Sequence, residues 1–210
     1  MNVTKLFWNE LYARGKDSGP GSKGRLAEFK AEVINRIMDD EDVHTILDFG
    51  CGDGMMTELY NIDDRKYIGI DISTEAIKKC LSVEHGDDVF MTYDEWIYVS
   101  PPGLFDCVLS VDVLFHIIED DLFHDYMTML FDASSNVVVI YAYDSNENPH
   151  PDSIKQPKHM KYRKFTNWID SNISGFKLIE HIPNRYPFII GDKNTSISDF
   201  YIYKRKESDV

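Results

Sequence analysis

Thr45-Ile-Leu-Asp-Phe-Gly-Cys-Gly-Asp-Gly54 decides how this chain folds. Thr45 to Phe49 reads as a buried strand, and the alternating glycines read as a turn into a short helix from about Met55 to Tyr60. Glycine permits positive φ and lets a ligand approach bare backbone. A helix start adds unpaired N–H groups and a positive dipole end. Asp48, just ahead of the turn, can accept from an ammonium. Together these features suit a ligand with one anionic and one cationic end; a tight strand–helix turn without a ligand is the alternative.

A second strand, Lys66 to Asp71, ends in an acid 21 residues after Gly50. At this spacing a second-strand carboxylate meets ribose hydroxyls in a doubly wound sheet. The dinucleotide pattern G-x-G-x-x-G fails, because its third glycine position is Met55. D-x-G-x-G-x-G is complete instead, in Asp48, Gly50, Gly52 and Gly54. With Asp71 downstream, the chain resembles the class I S-adenosylmethionine-dependent methyltransferases, in particular small stand-alone ones of metabolite or sugar-pathway type. The resemblance covers roughly residues 25 to 205. It implies S-adenosylmethionine as cofactor, held by Asp48, Gly50, Cys51, Gly52 and Gly54 at the turn, with Asp71 and Ile72 beside it and Ser110 on the fourth strand. It also implies that Asp94, with Glu95, reaches the adenine amino group, although Asp94 reads equally as a helix N-cap. Ser22 and Arg25 would bind the methionine carboxylate if the Gly15–Gly24 loop folds over the cofactor; that loop also reads as a flexible connector.

The 210 residues, 43% of them hydrophobic, suit one domain with a full core. Residues 1–24 read as an N-terminal helix, Val3 to Arg14, and a glycine-rich lid loop; 25–205 form the core. The longest apolar run, Val137 to Tyr143, is too short to span a bilayer, and the N-terminus lacks a signal-peptide layout. Cys51, Cys80 and Cys107 have no metal-ligand spacing and read as reduced thiols of a cytoplasmic protein, so no metal site is expected. The net charge of −14 argues against broad nucleic-acid binding. Half of the 22 basic residues lie between Lys155 and Lys206, a local excess that either steers a small anion or forms a solvated face.

Further strands are expected at Val89–Thr92, Phe105–Val111, Asn136–Tyr141, Gly175–Ile182 and Ile197–Lys204. Helices are expected at Leu26–Met38, Thr74–Val83 with Ser73 as N-cap, from Glu119 to about Phe131, and at Lys164–Ile173. Ser100 to Gly103 reads as a turn. Trp96 either lines an adenine pocket or packs in the core. The order predicts an α/β fold: a three-layer, doubly wound, seven-stranded, mostly parallel sheet finishing in an antiparallel strand, which is also the Rossmann-like architecture of the resembled family. The aperiodic segment Ala142–Lys161 follows strand five, on the carboxyl edge where ligands bind.

Methyl transfer from a sulfonium is an in-line displacement that depends on positioning and needs no metal. His116 follows strand four, on the turn that faces the sulfonium in the resembled fold, and suits proton removal near pH 7; packing beneath the cofactor is its other reading. Asp112 on the same turn reads as base, substrate ligand or helix cap. Tyr141 and Tyr143 either wall the substrate pocket or pack at the core edge. His159, Lys161, Arg163 and Arg185 lie within reach of the edge and hint at a phosphate- or carboxylate-bearing acceptor; singly, each reads as a surface residue. The turn after strand four lacks the Asp/Asn-Pro-Pro-aromatic or Pro-Cys signature of DNA base methylation, since it reads Ser110-Val-Asp-Val-Leu-Phe115 and Cys107 lies within the strand. The expectation is transfer to oxygen, with nitrogen second, of a small molecule, by a monomer or homodimer with neither nucleic-acid nor membrane partners. A non-catalytic, cofactor-binding regulatory subunit is the competing reading.

Overall fold

The computed structural model describes residues 3–83, 86–99, 104–149 and 155–207. Seven strands form one sheet: β1 Thr45–Phe49, β2 Lys66–Asp71, β3 Val89–Thr92, β4 Phe105–Val111, β5 Ser134–Ala142, β6 Phe176–Ile182 and β7 Asp199–Arg205, in the order β3-β2-β1-β4-β5-β7-β6. The first five are mutually parallel, and β7 runs antiparallel between β5 and β6. The expected fold class is therefore observed. The central strands are apolar on both faces because helices cover both. One face packs α2, Gly24–Asp40, through Phe29, Val33, Ile34 and Ile37, together with Ile77 and Cys80 of α3, Thr74–Cys80. The other packs Trp96 of α4, Tyr93–Val99, with α5, Asp120–Asp132, and α6, Phe165–Asn172. Trp96 is thus a core residue, in edge contact with Phe49 and tilted against Phe105.

The strand order reverses at β1 and β4, leaving a crevice at their carboxyl ends. α1, Val3–Ala13, is stitched over that edge. Glu119 accepts from the Val3 and Thr4 amides and the Thr4 hydroxyl, and Asn9 accepts from the Ser73 hydroxyl. Ser73 caps α3 as expected, accepting from the Ala76 amide; the helix ends at Cys80 rather than Val83.

The helix expected from Met55 does not form. The chain makes turns and then one 3-10 turn, Thr57–Leu59. The Gly54 amide bonds back to the Cys51 carbonyl, and the Thr57 hydroxyl bonds to the Gly54 carbonyl, so the segment closes on itself locally. The turn Ser100–Gly103 and residues 150–154 of the long segment after β5 lie outside the described residues. No helix among the described residues is long and apolar enough to cross a membrane.

Candidate active site

β1 ends at Phe49 and the backbone turns through Gly50, Gly52 and Gly54 with φ of 92°, 61° and 77°. These left-handed values favour glycine. Space demands it as well. A Cβ on Gly50 would lie 2.3 Å from Val113 Cγ2, and one on Gly52 would lie 2.4 Å from Ser18 Oγ. The amides of Gly50 and Cys51 donate to the Ile70 carbonyl, and that of Gly52 donates to Asp71 Oδ2 at 3.0 Å. The crook is therefore anchored to β2 by its own N–H groups, with no helix dipole behind it.

Above the crook lies a cleft of about 1010 Å3, open solvent at its mouth included. It runs along the carboxyl edge from Tyr93 after β3 and Ile72 after β2, over Gly50 to Gly52, to Asp112 and Val113 after β4. Trp8 and Tyr12 of α1, with Ser18 and Ser22, form its near wall, while Leu122 and Tyr126 close it from α5. The loop between α1 and α2 borders the cleft through Ser18 and Ser22, and Ser18 fastens it to the crook. Ser18 Oγ donates to Asp53 Oδ1 at 2.6 Å, the Ser18 amide donates to Asp53 Oδ2, and the Tyr12 hydroxyl lies 2.9 Å from Ser18 Oγ.

Asp48 is buried, and its Oδ2 accepts from the Tyr67 hydroxyl at 2.8 Å. Its Oδ1 has no hydrogen-bond partner. Burial pushes this carboxyl up to about 6, against the opposing pull of the Tyr67 hydrogen bond. Asp71 is likewise raised to about 6 by desolvation, although the Ser73 and Gly52 amides bind it. A buried acceptor without a donor is costly, so this cleft-wall carboxylate is open to a further hydrogen-bond donor.

Beyond β4, Asp112 is a non-glycine residue at φ 59°. It accepts from Lys30 Nζ at 2.9 Å and from Ser198 Oγ at 3.0 Å, and it is not the cap of the following turn, whose N-cap is Val113. Strained backbone of this kind persists where surrounding contacts over-determine it. His116 has an unpartnered, buried Nδ1. Burial, then the nearby His159, depress its basicity to about 4, so the ring is neutral near pH 7. It also borders a second cavity with Phe7, Lys158 and His159, where His159 stacks on Phe7 with centroids 4.3 Å apart.

Of the residues singled out in the sequence, Asp48, Gly50, Cys51, Gly52, Asp71, Ile72, Asp112, His116 and Ser22 share the cleft wall. The others are placed elsewhere. Gly54 closes the turn off the cleft wall, its amide bonded to the Cys51 carbonyl, and Ser110 is buried, bonded to the Tyr126 hydroxyl. Arg25 faces away, donating to the Asn194 carbonyl, paired with Asp192 and stacked on Tyr186. Asp94 is exposed and paired with Lys5. Glu95 is consumed by a reciprocal cap, its carboxylate accepting from the Thr92 amide while its own amide donates to Thr92 Oγ1. Tyr141 is core, held by Phe200 and Asn184, and Tyr143 packs on Tyr162. Arg163 and Lys161 pair with Asp120, and Arg185 makes a two-pronged bond to Glu32. The residue that sequence reasoning missed is Lys30. Its signal was a lone charge on the apolar face of α2, one turn from Leu26, Val33 and Ile34. Among the described residues, no cluster of His, Cys, Asp or Glu is arranged to hold a metal ion.

Residues 23–171 match a family model described as a methyltransferase domain, and the chain belongs to that family of S-adenosylmethionine-dependent enzymes. It is 28% identical over 114 residues to the 18S rRNA (guanine-N(7))-methyltransferase bud23 of Schizosaccharomyces pombe, covering 52% of this chain and 41% of that protein. It is 33% identical over 81 residues to the peramine synthetase ppzA of Metarhizium rileyi, covering 37% of this chain and 3% of that protein. The chain therefore spans less than half the length of these curated relatives. The fold is shared with the N-methyltransferase NodS from Bradyrhizobium japonicum, solved with S-adenosylhomocysteine, at TM-score 0.72, 14% identity and coverage of 99% of this chain and 100% of that one. It is shared too with the magnesium protoporphyrin IX methyltransferase from Synechocystis, at TM-score 0.68, 14% identity and coverage of 97% and 99%.

Proposed function

We propose that the cleft binds S-adenosylmethionine and that the protein methylates an oxygen, or in second place a nitrogen, of a small acceptor. The observation that carries this is the bare glycine crook set between an orphaned buried carboxylate, Asp48, and the β2-terminal carboxylate, Asp71. The donor supplies an electrophilic methyl on a sulfonium whose leaving group requires no protonation. Asp48 Oδ1 accepts from the donor ammonium. The remaining lone pairs of Asp71 accept from ribose hydroxyls, while its existing bonds to Gly52 and Ser73 keep the carboxylate in place. Tyr93, Ile72 and Leu122 provide the apolar end that a purine ring needs.

On the acceptor side, Asp112 and His116 follow β4 together. The neutral His116 ring offers its unpartnered Nδ1 as a hydrogen-bond acceptor to the methyl-accepting group, but burial leaves it a weak base near pH 7, contrary to the sequence expectation, and the Asp112 carboxylate beside Lys30 is the alternative base. Positioning supplies the remainder, up to roughly 7–11 kcal/mol at best. An anionic acceptor draws no support from Arg163 or Arg185, whose guanidiniums are already neutralised by Asp120 and Glu32. The aromatic cavity beside His116 favours a flat, weakly charged acceptor instead. The relative bud23 is named for an rRNA acceptor, but a net charge of −14 opposes a polynucleotide here.

The test is incubation with methyl-labelled S-adenosylmethionine and either dialysed metabolites or total RNA, following S-adenosylhomocysteine release. Label passing into dialysable molecules supports the reading. Tight donor binding with no transfer to either pool would favour the non-catalytic subunit.

A further inference from the structure

Thr4 and His116 line both the cleft and the second cavity, so the two spaces meet at these side chains. The second cavity holds about 410 Å3, open solvent at its mouth included, between Phe7 of α1, Ile118, and His159 of the segment after β5. Three of its rings lie nearly parallel. Phe7 stacks on His159 at 4.3 Å with 6° between planes, and His116 stands 5.7 Å from His159 at 14°. Trp8 meets His116 edge-on at 87° and Phe115 packs against it at 4.6 Å, so the imidazole is held in place. The backbone of His159 hydrogen-bonds that ring, whereas Nδ1 has no partner. Nε2 therefore carries the proton, and Nδ1 keeps an open lone pair in the plane of the ring. The Thr4 hydroxyl, by contrast, is spent: it donates to Glu119 Oε2 at 2.6 Å and accepts from the Ile118 amide. Lys158 is exposed, so the buried end of the cavity carries no cation.

We infer that this cavity takes the methyl acceptor, and that the acceptor is a planar aromatic or heteroaromatic ring bearing an O–H or N–H in its own plane. This rests on the reading of the cleft as the donor site. A ring laid parallel to the Phe7–His159 pair gains offset stacking. Only a donor in that ring's own plane then meets a lone pair lying in the nearly parallel plane of His116. An ether oxygen would set lone pair against lone pair, and a carboxylate or phosphate would bring charge to an atom that offers no proton. His116 holds the hydrogen, which leaves a lone pair of the same acceptor atom free to attack. In the transfer the S–CH3 bond breaks with its electron pair kept by sulfur, that lone pair forms the new bond, and the acceptor proton is released to water.

Calorimetric titration into protein saturated with S-adenosylhomocysteine tests this with three probes: 2-naphthol, its methyl ether 2-methoxynaphthalene, and the saturated decahydro-2-naphthol. The wild type is expected to bind 2-naphthol about 2–10-fold tighter than the ether, the range of one neutral hydrogen bond. It should also favour 2-naphthol over the saturated alcohol by about 2–10-fold, the range of an aromatic pair. His116→Phe keeps a ring without a lone pair and abolishes the preference over the ether; Phe7→Leu abolishes the preference over the saturated alcohol. Nuclear magnetic resonance of the wild type with ring-nitrogen-labelled histidine decides the point even where a variant does not fold, because 2-naphthol shifts the His116 Nδ1 resonance and the ether does not. A wild type that binds S-adenosylhomocysteine but prefers none of the three probes, or whose Nδ1 resonance ignores 2-naphthol, overturns the acceptor assignment and leaves the donor site standing. A preference over the ether that survives in folded His116→Phe overturns it too. Displacement of 2-naphthol by total RNA would put the ring on a polynucleotide and overturn the small-molecule assignment. A wild type that binds no S-adenosylhomocysteine overturns the donor site and this assignment together.

Discussion

Asp48→Asn should make the protein more stable and a worse binder. In the fold the Asp48 carboxyl is raised from 3.8 to about 6, chiefly by burial. At about 1.4 kcal/mol per tenfold, that rise corresponds to about 3 kcal/mol, an upper estimate of what ionised Asp48 costs the native state near neutrality. The sign follows from proton uptake. Between pH 4 and 6 the native state holds a proton that the unfolded chain has lost, so stability falls as pH rises and the full cost is present above 6. Asparagine keeps an oxygen for the Tyr67 hydroxyl and places an amide where Oδ1 has no partner. Urea denaturation without ligand should therefore show a gain of about 1–3 kcal/mol at pH 7 that all but disappears by pH 4. Asp71 is raised for the same reason and retains its share of the pH slope, so the slope should be reduced, not abolished. S-Adenosylhomocysteine affinity at pH 7 should fall about 10–100-fold, because the ligand ammonium loses its counter-charge. A variant that is destabilised at pH 7, or whose gain is the same at pH 4, would refute the reasoning. This is a stability–function trade-off located at one oxygen atom.

Gly50→Ala places a Cβ 2.3 Å from Val113 Cγ2 at φ 92°, so it should cost at least about 1–2 kcal/mol in denaturation and abolish donor binding; an unshifted midpoint counts against the crook. His116→Gln should flatten the acid side of the stability profile. The wild-type imidazole, held near 4 in the fold against 6.5 unfolded, makes stability drop as pH falls through that window, and an unchanged profile would mean that His116 charges freely in the native state. Ser18→Ala removes the tie to Asp53, so hydrogen exchange at residues 15–22 should accelerate while the global midpoint holds; unaltered exchange there would show that the lid is fastened elsewhere.

The chemistry-bearing turn was legible because its constraints are local. Asp48, the three glycines and Asp71 lie on consecutive elements, and φ demand, alternation and spacing are written in adjacent residues. The order of strands was legible for the same reason, since each buried strand is a short apolar run bounded by turn residues. The dead ends arose where a residue's work depends on a competing local bond. Glu95 had Thr92 three residues away to cap, so its carboxylate never became available to a ligand. Arg185 and Arg163 looked free in the sequence, and the fold supplied Glu32 and Asp120 from distant segments.

The sequence by itself determined the sheet, the crook and the two carboxylates beside it, because backbone sterics and hydrophobic period act over a few residues. Only the tertiary structure decided which charges remain available in the cleft. Lys30 and Asp112 stand 82 positions apart, and Ser198 a further 86 beyond Asp112. Whether a cation ends in solvent, in an ion pair or against a ligand is settled by which distant carboxylate the packed helices bring within about 3 Å, and desolvation then fixes its strength.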